Sequence, residues 1–260
     1  MISTSSRPSP FTPGRRVVAS HPLRRGMLVA VEFAGGAGWD YVANKAVTLK
    51  TRTGGFGGEF GLVSDGVDTK GAEYNSPRLG GLSSGGNLTV AWFGAKISGT
   101  GSLVTLSDGS PSGIGVMGNK IQRNSSGVTI ASYAATVAPS PYVYTQLGGA
   151  ASVYAAGKST PIATAGSPGL DSVTLTRIWL HKNTYLSGSQ ASTAGCLLNR
   201  IYVWNRALSA SEAVEWMVNY HRLFAGSPLQ RQAVLTSAAP PSSLPWMLDG
   251  DFPSYGYVEA

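Results

Sequence analysis

The sequence predicts an all-β fold: a two-sheet antiparallel jelly-roll sandwich with one short C-terminal helix and extended N- and C-terminal arms. Three observations predict it. Short alternating apolar segments recur between Gly- and Ser-rich turn signals. One stretch near residue 210 has helical spacing, and both ends are rich in proline without any periodic pattern. Composition agrees, with 42% hydrophobic residues, 34 glycines and only 13% charged residues, against roughly 25% charged in ordinary globular chains. That is a turn-rich β-protein and lacks the low hydrophobicity and high charge of a disordered chain.

Residues 1–24 read as an extended basic arm of Ser, Pro and Arg. The net charge is +7, and Arg7, Arg15, Arg16, Arg24 and Arg25 all precede the first acid, Glu32, while the remaining chain is nearly balanced. A charge excess confined to one arm argues against a specific nucleic-acid interface. It fits either a solvated tail or an arm that docks on an acidic surface.

Residues 25–225 form the expected sandwich. MLVAVEF (27–33), NLTVAWFGAKI (87–97), SLVTLSD (102–108), GIGVMGNKIQRN (113–124), GVTIASYAATV (127–137), VTLTRIWLHKN (173–183) and LLNRIYVWN (197–205) read as strands. In 173–183, Leu175, Arg177 and Trp179 are expected on one face and Thr174, Thr176, Ile178 and Leu180 on the other. Trp92, Trp179 and Trp204 are expected in the core. The Gly-rich stretches 52–61 and 78–87 precede no helix, so they read as turns and not as phosphate loops.

The single helix begins at Ser209, followed three residues later by Glu212, the spacing of a reciprocal capping box. Ala213, Met217, Tyr220 and Phe224 then fall on one face, widened by Val214 and Val218, and Gly226 and Pro228 stop it. A lone amphipathic helix of this length needs a surface to cover, so it is expected to lie on the sandwich. Residues 226–260 form the second arm, Pro-rich, with Trp246, Phe252, Tyr255 and Tyr257 as aromatic anchors of the kind that fill partner pockets.

The run Ile201, Tyr202, Val203, Trp204, Asn205, Arg206, Ala207, Leu208, Ser209, then Glu212, Leu223 and Phe224, resembles the end of LamG-like domains of the concanavalin A-like lectin and glucanase superfamily, in particular those of tailed-bacteriophage virion proteins. Upstream, 21–38, 62–74 and 88–106 resemble the family's opening strand, its Asp-Gly segment and its central strand pair. Residues 151–164 resemble a hairpin that in relatives reads Tyr-x-Asn-Gly, with Ala156 here in place of Asn. The resemblance covers about 21–225 and implies a virion location, with the chain made in the host cytoplasm. It implies assembly with copies of itself, such as a trimer, and with other virion proteins such as the major capsid protein. Capsid decoration and a tail position both fit.

No catalytic residues, cofactor or metal are predicted. Retaining glycosidases need two carboxylates about 5 to 5.5 Å apart, and no strand here carries the spacing that would supply them. Asp65 and Asp68 sit among glycines as turn caps; with Asp108 they are the candidates for calcium, but nothing in the sequence makes them converge. Cys196 lies in an apolar run and reads as a buried, inert thiol. His21, His181 and His221 are scattered. A second expectation is a tail-associated module that binds a host-surface glycan, with Tyr74, Tyr142 and Tyr144 as contacts from loops 72–81 and 142–149. The N-terminus lacks the apolar core of a secretory signal, and no run approaches the ~18 apolar residues of a membrane span.

Overall fold

The computed structural model describes residues 15–34, 37–47, 62–63, 72–76, 78–96, 102–108, 113–123, 129–134, 139–166, 173–180, 182–183, 190–191 and 196–224. In chain order the strands are β1 Met27–Ala34, β2 Ala37–Asp40, β3 Lys45–Ala46, β4 Leu62–Val63, β5 Ala72–Tyr74, β6 Leu82–Ser83, β7 Leu88–Lys96, β8 Ser102–Ser107, β9 Gly113–Met117 and β10 Lys120–Arg123. They continue as β11 Thr129–Ser132, β12 Ser140–Leu147, β13 Ala150–Ala155, β14 Ala163–Ala165, β15 Thr174–Leu175, β16 Arg177–Leu180, β17 Lys182–Asn183, β18 Gln190–Ala191 and β19 Cys196–Trp204. Helix α1, Ala210–Asn219, follows, and a 3-10 turn, Tyr220–Leu223, prolongs it.

Two antiparallel sheets make the sandwich. One runs β14-β13-β12-β7-β19-β1-β2-β3, with β4 on the end of β19; the other runs β11-β10-β9-β8-β16-β5. Period-two alternation decides what each sheet buries. Val29, Val31 and Phe33 of β1, Val90 and Trp92 of β7 and Ile201 and Val203 of β19 meet Val104, Leu106, Ile114, Val116, Ile178 and Leu180 of the facing sheet. The intervening Ala30, Ala91, Tyr202 and Trp204 point the other way, where Leu23, Trp216, Met217, Leu223 and Phe224 cover them. The larger sheet is thus a middle layer, with the smaller sheet on one face and the helical segments on the other.

Helix α1 starts as its cap dictates. Ser209 Oγ accepts from Glu212 N at 3.3 Å, and Glu212 Oε2 accepts from Ser209 N at 2.9 Å. Its buried face is Ala213, Trp216 and Met217, with Val214 partly buried against the same cluster as expected; Val218 is the residue that leaves the expected face. Val218 is 53% exposed, because at 100° per residue it lies a full step round from Met217.

Several sequence expectations need correction. The stretch 113–124 is a hairpin of two strands, β9 and β10, turning at Gly118 and Asn119. The single strand expected over 173–183 breaks at Thr176, whose N–H goes to Ser107 O at 2.9 Å, so Leu175 and Ile178 are both buried. Residues 15–24 belong to the packed body and not to an arm. His21 Nδ1 caps the 3-10 turn Pro22–Arg24, Leu23 is buried under Trp204, and Trp204 Nε1 donates to Leu23 O at 2.6 Å.

Beyond β13, Ala156 (φ 52) and Gly157 (φ 70) both take left-handed backbone. That conformation costs a residue such as alanine about 1 kcal/mol, while Asn offsets it by local hydrogen bonding. Ala156→Asn is therefore expected to raise the unfolding free energy by about 0.5–1 kcal/mol in urea titration. A neutral or destabilising result would refute strain at this turn.

Candidate functional site

The outer face of the smaller sheet is the first candidate. Strand register lines up Glu73, Trp179, Thr105, Gly115 and Gln122 in one rung across β5, β16, β8, β9 and β10, with Arg177, Ser107 and Gly113 in the next. Each is one residue out of phase with a core side chain, so parity sends the rung away from the core. Gly113 and Gly115 leave the floor without side chains. Gly113 has a positive φ of 137, and a Cβ there would run into the Leu106 carbonyl oxygen.

The rung is polar and held. Arg177 Nη1 lies 3.3 Å from Glu73 Oε1, with side chains 42% and 9% exposed. Trp179 Nε1 donates to Ser107 Oγ at 3.1 Å, which fixes the indole plane. Thr105, Ser107 and Gln122 are buried, whereas Trp179 and Arg177 stay half-buried and reach solvent. The solvent-reaching groups of the rung are thus an aromatic ring and a guanidinium, a pairing suited to stacking on a sugar ring. Most glycosidases use a carboxylate pair, and Glu73 is the carboxylate this rung provides among the described residues.

The second candidate is the corner where the described body begins and ends. Val17 bridges Phe224, and Val18 N donates to Leu223 O at 2.7 Å. The Arg15 guanidinium lies 4.8 Å from the Phe224 ring centroid, and Tyr41 packs on the same ring at 4.7 Å. Behind them Glu32 accepts from Tyr202 Oη at 2.9 Å and from Tyr41 Oη at 3.3 Å. Burial first, then the Glu32 charge, pushes both tyrosine pKa values above their ordinary range, so both hydroxyls remain donors.

Arg200 stands opposite Glu32 in the β1–β19 register, and its guanidinium lies 3.6 Å from the Tyr220 ring centroid. Burial works against its charge, but Tyr220, Glu32 and Tyr202 outweigh it and its pKa rises. This network locks the helical layer to the sheet.

Beside that corner Arg206 fastens the start of α1 to residues 22–25. Its Nη1 and Nη2 meet Glu212 at 2.8 and 2.7 Å, and its Nε donates to Arg25 O at 2.9 Å. The Arg206 hydrogen bonds hold the Glu212 carboxyl below the usual glutamate range, against the opposing effect of partial burial. A lowered folded pKa stabilises above the unfolded value, and that stability disappears as pH falls through the folded value. Glu212→Gln is expected to flatten the acid limb of the stability profile below about pH 4.5 while costing at most about 1 kcal/mol at neutral pH, since the pair is partly solvated. An unchanged acid limb would exclude this coupling.

Of the sequence-predicted residues, Ser209 and Glu212 form the expected cap. The three glycan candidates are misplaced. Tyr142 and Tyr144 lie in β12 and Tyr74 in β5, at 4, 0 and 3% exposure, with their rings in the inter-sheet core. The reason is parity: Tyr142, Tyr144 and Gln146 share the inward face, and Gly148 and Gly149, both at positive φ, supply the hairpin turn that makes 142–147 a strand.

Trp92 and Trp204 are core as expected, but Trp179 is half-buried on the outer rung. Arg15 packs on the body's own Phe224, and Arg16 is exposed. Asp108 is exposed in the turn after β8. Arg7, Asp65, Asp68, His181, Trp246, Phe252, Tyr255 and Tyr257, and the side chain of Cys196, lie outside the described residues. Among the described residues no group of three or more His, Cys, Asp or Glu is placed to hold a metal ion, and no helix is long and apolar enough to cross a membrane.

No family model matches the chain, and no curated protein matches its sequence. Solved structures do match in fold. Trypanosoma rangeli sialidase in complex with sialic acid aligns with a TM-score of 0.53 at 14% identity, over 76% of this chain and 34% of the sialidase. The botulinum neurotoxin serotype G binding domain aligns at 0.54 and 12% identity, over 75% and 51%. The binding domain of Paraclostridial Mosquitocidal Protein 1 aligns at 0.50 and 14% identity, over 76% and 53%. The chain therefore spans about a third of the sialidase and about half of each binding domain. At these identities the likeness is one of fold, a β-sandwich shared by an enzyme and by binding domains.

Proposed function

We propose that this chain is a non-enzymatic structural protein of a tailed-bacteriophage virion, most simply a capsid decoration or minor capsid protein. In this reading it is a LamG-like sandwich that joins copies of itself and the major capsid protein through its arms. The observation that carries the reading is the pairing of Val17 with Phe224, which roots both arms at one corner of the body. Arms that leave together can grip one neighbour while the rest of the sandwich faces outward. The order of the family-like motifs from 21 to 225 supports the same reading. Quantitative mass spectrometry of purified particles is expected to find the chain in a fixed copy number related to capsid symmetry. Its absence from particles would end this reading, and a handful of copies would move it to the tail.

A second reading, a tail-associated glycan-binding module, is favoured by the Trp179 rung and by the binding domains among the fold neighbours. Glycan-array binding lost in Trp179→Ala, with the thermal midpoint retained, would support it. No binding by the wild-type chain would remove it.

A further inference from the structure

An open groove of about 450 Å³ lies between the 3-10 turn Pro22–Arg24 and the start of α1, lined in part by His21, Arg24, Arg25, Arg206 and Glu212. It holds three guanidinium groups against one carboxylate, and Arg206 already engages that carboxylate through two nitrogens. Arg24 gives Nη1 to the Met27 carbonyl at 3.2 Å, and Arg25 is exposed. Neither forms an ion pair among the described residues. The groove is a cation pair waiting for anions.

The chain carries a matching segment. Residues 225–260 hold Asp249, Asp251 and Glu259 against Arg231 alone. In extended backbone, Asp249 and Asp251 point to the same side about 7 Å apart. We propose that the Asp249–Asp251 segment of this same chain docks in the groove, its two carboxylates against Arg24 and Arg25. The inference is independent of the glycan reading and assigns Asp249–Asp251 to the chain's own body, leaving the rest of the arms for the contacts between subunits proposed above.

Tethering selects the chain's own tail over a second copy. Val17 bridges Phe224 in antiparallel fashion, so the chain leaves Phe224 beside Val17, two residues before Ala19, which lines the groove. About 24 residues separate Phe224 from Asp249, a contour of up to roughly 80 Å, so the tether is long enough to bring the carboxylates back to the groove. Such a tether holds the carboxylates at an effective concentration in the millimolar range. Exposed ion pairs are individually weak, so two of them suit millimolar intramolecular binding and fall short of what binding a separate molecule requires.

The test uses the full chain and amide hydrogen exchange read over residues 19–25. Asp249→Asn with Asp251→Asn, which leaves the body untouched, is expected to speed exchange there by about three- to tenfold at low salt. The effect should be independent of protein concentration and vanish at about 1 M salt. Arg25→Asp should do the same, and combining it with Asp251→Arg should restore protection. Unchanged exchange in the tail variant overturns the proposal. So does protection that grows with protein concentration alongside a dimeric mass, which would make the occupant a second copy. Protection that ignores the tail variant and appears only on adding inorganic phosphate or an oligonucleotide overturns it too, and assigns the groove to phosphate.

Discussion

Asp40→Ala is expected to destabilise the protein by about 3–5 kcal/mol, the range for breaking a buried charged hydrogen-bond network. Asp40 is fully buried at the end of β2. Its Oδ1 accepts from Val42 N at 2.9 Å, Ala43 N at 3.1 Å and Ala30 N at 3.4 Å, and Oδ2 accepts from Tyr74 Oη at 2.6 Å. One carboxylate thus closes the β2–β3 turn and ties the larger sheet to β5 of the smaller one. Alanine strands several buried donors at once. Tyr74→Phe removes one bond and leaves the others, so its cost should be nearer 1.5–3 kcal/mol, about that of one hydrogen bond to a charged group.

The two variants separate mechanism from packing. Burial and the Asp40 bond push the Tyr74 pKa well above its ordinary range, so the phenol stays a donor throughout the stable pH range. Tyr74 is the neighbour of Glu73, and β5 holds Glu73 beside Trp179. Loosening the tie should therefore disturb the polar rung as well as global stability. Urea titrations reporting less than about 1 kcal/mol for Asp40→Ala would mean that water replaces the carboxylate, and the tie would lose its assigned role.

Local chemistry was legible in the sequence, and long-range chemistry was not. Ser209 and Glu212 announce their cap because both donors and both acceptors lie within four residues. The strands of β1, β7, β8 and β19 announce themselves because period-two alternation is a property of the segment alone. The Asp40–Tyr74 bond joins residues 34 apart, and the Glu32–Tyr202 bond residues 170 apart, so neither has a sequence signature. Tyr142 and Tyr144 carried a readable clue, the Gly148-Gly149 turn with alternating residues on both sides. For the Trp179 rung the signals were Arg-x-Trp in one strand and Gly-x-Gly in another, two patterns that gain meaning only once register sets them side by side.

Phe224→Ala is expected to cost about 3–5 kcal/mol, as for other fully buried phenylalanines. Phe224 is fully buried, touches Tyr41, lies under Arg15 and pairs with Val17, so its loss opens a cavity and frees residues 15–18 together. The same contacts set where the described body begins. Removing residues 1–14 should leave the thermal midpoint within about 2 °C, because the corner contacts among the described residues are made by Arg15, Val17 and Val18. Removing residues 1–20 takes Arg15, Val17 and Val18 away from Phe224 and Leu223 and should cost about 1–3 kcal/mol, in the range of ordinary single-site losses. Equal midpoints for the two truncations would return 15–20 to the arm. A drop confined to the longer truncation and to Phe224→Ala would fix the corner as the seam where the sandwich ends and the arms begin. Any assembly defect in the shorter truncation would then belong to the arm and not to a damaged fold.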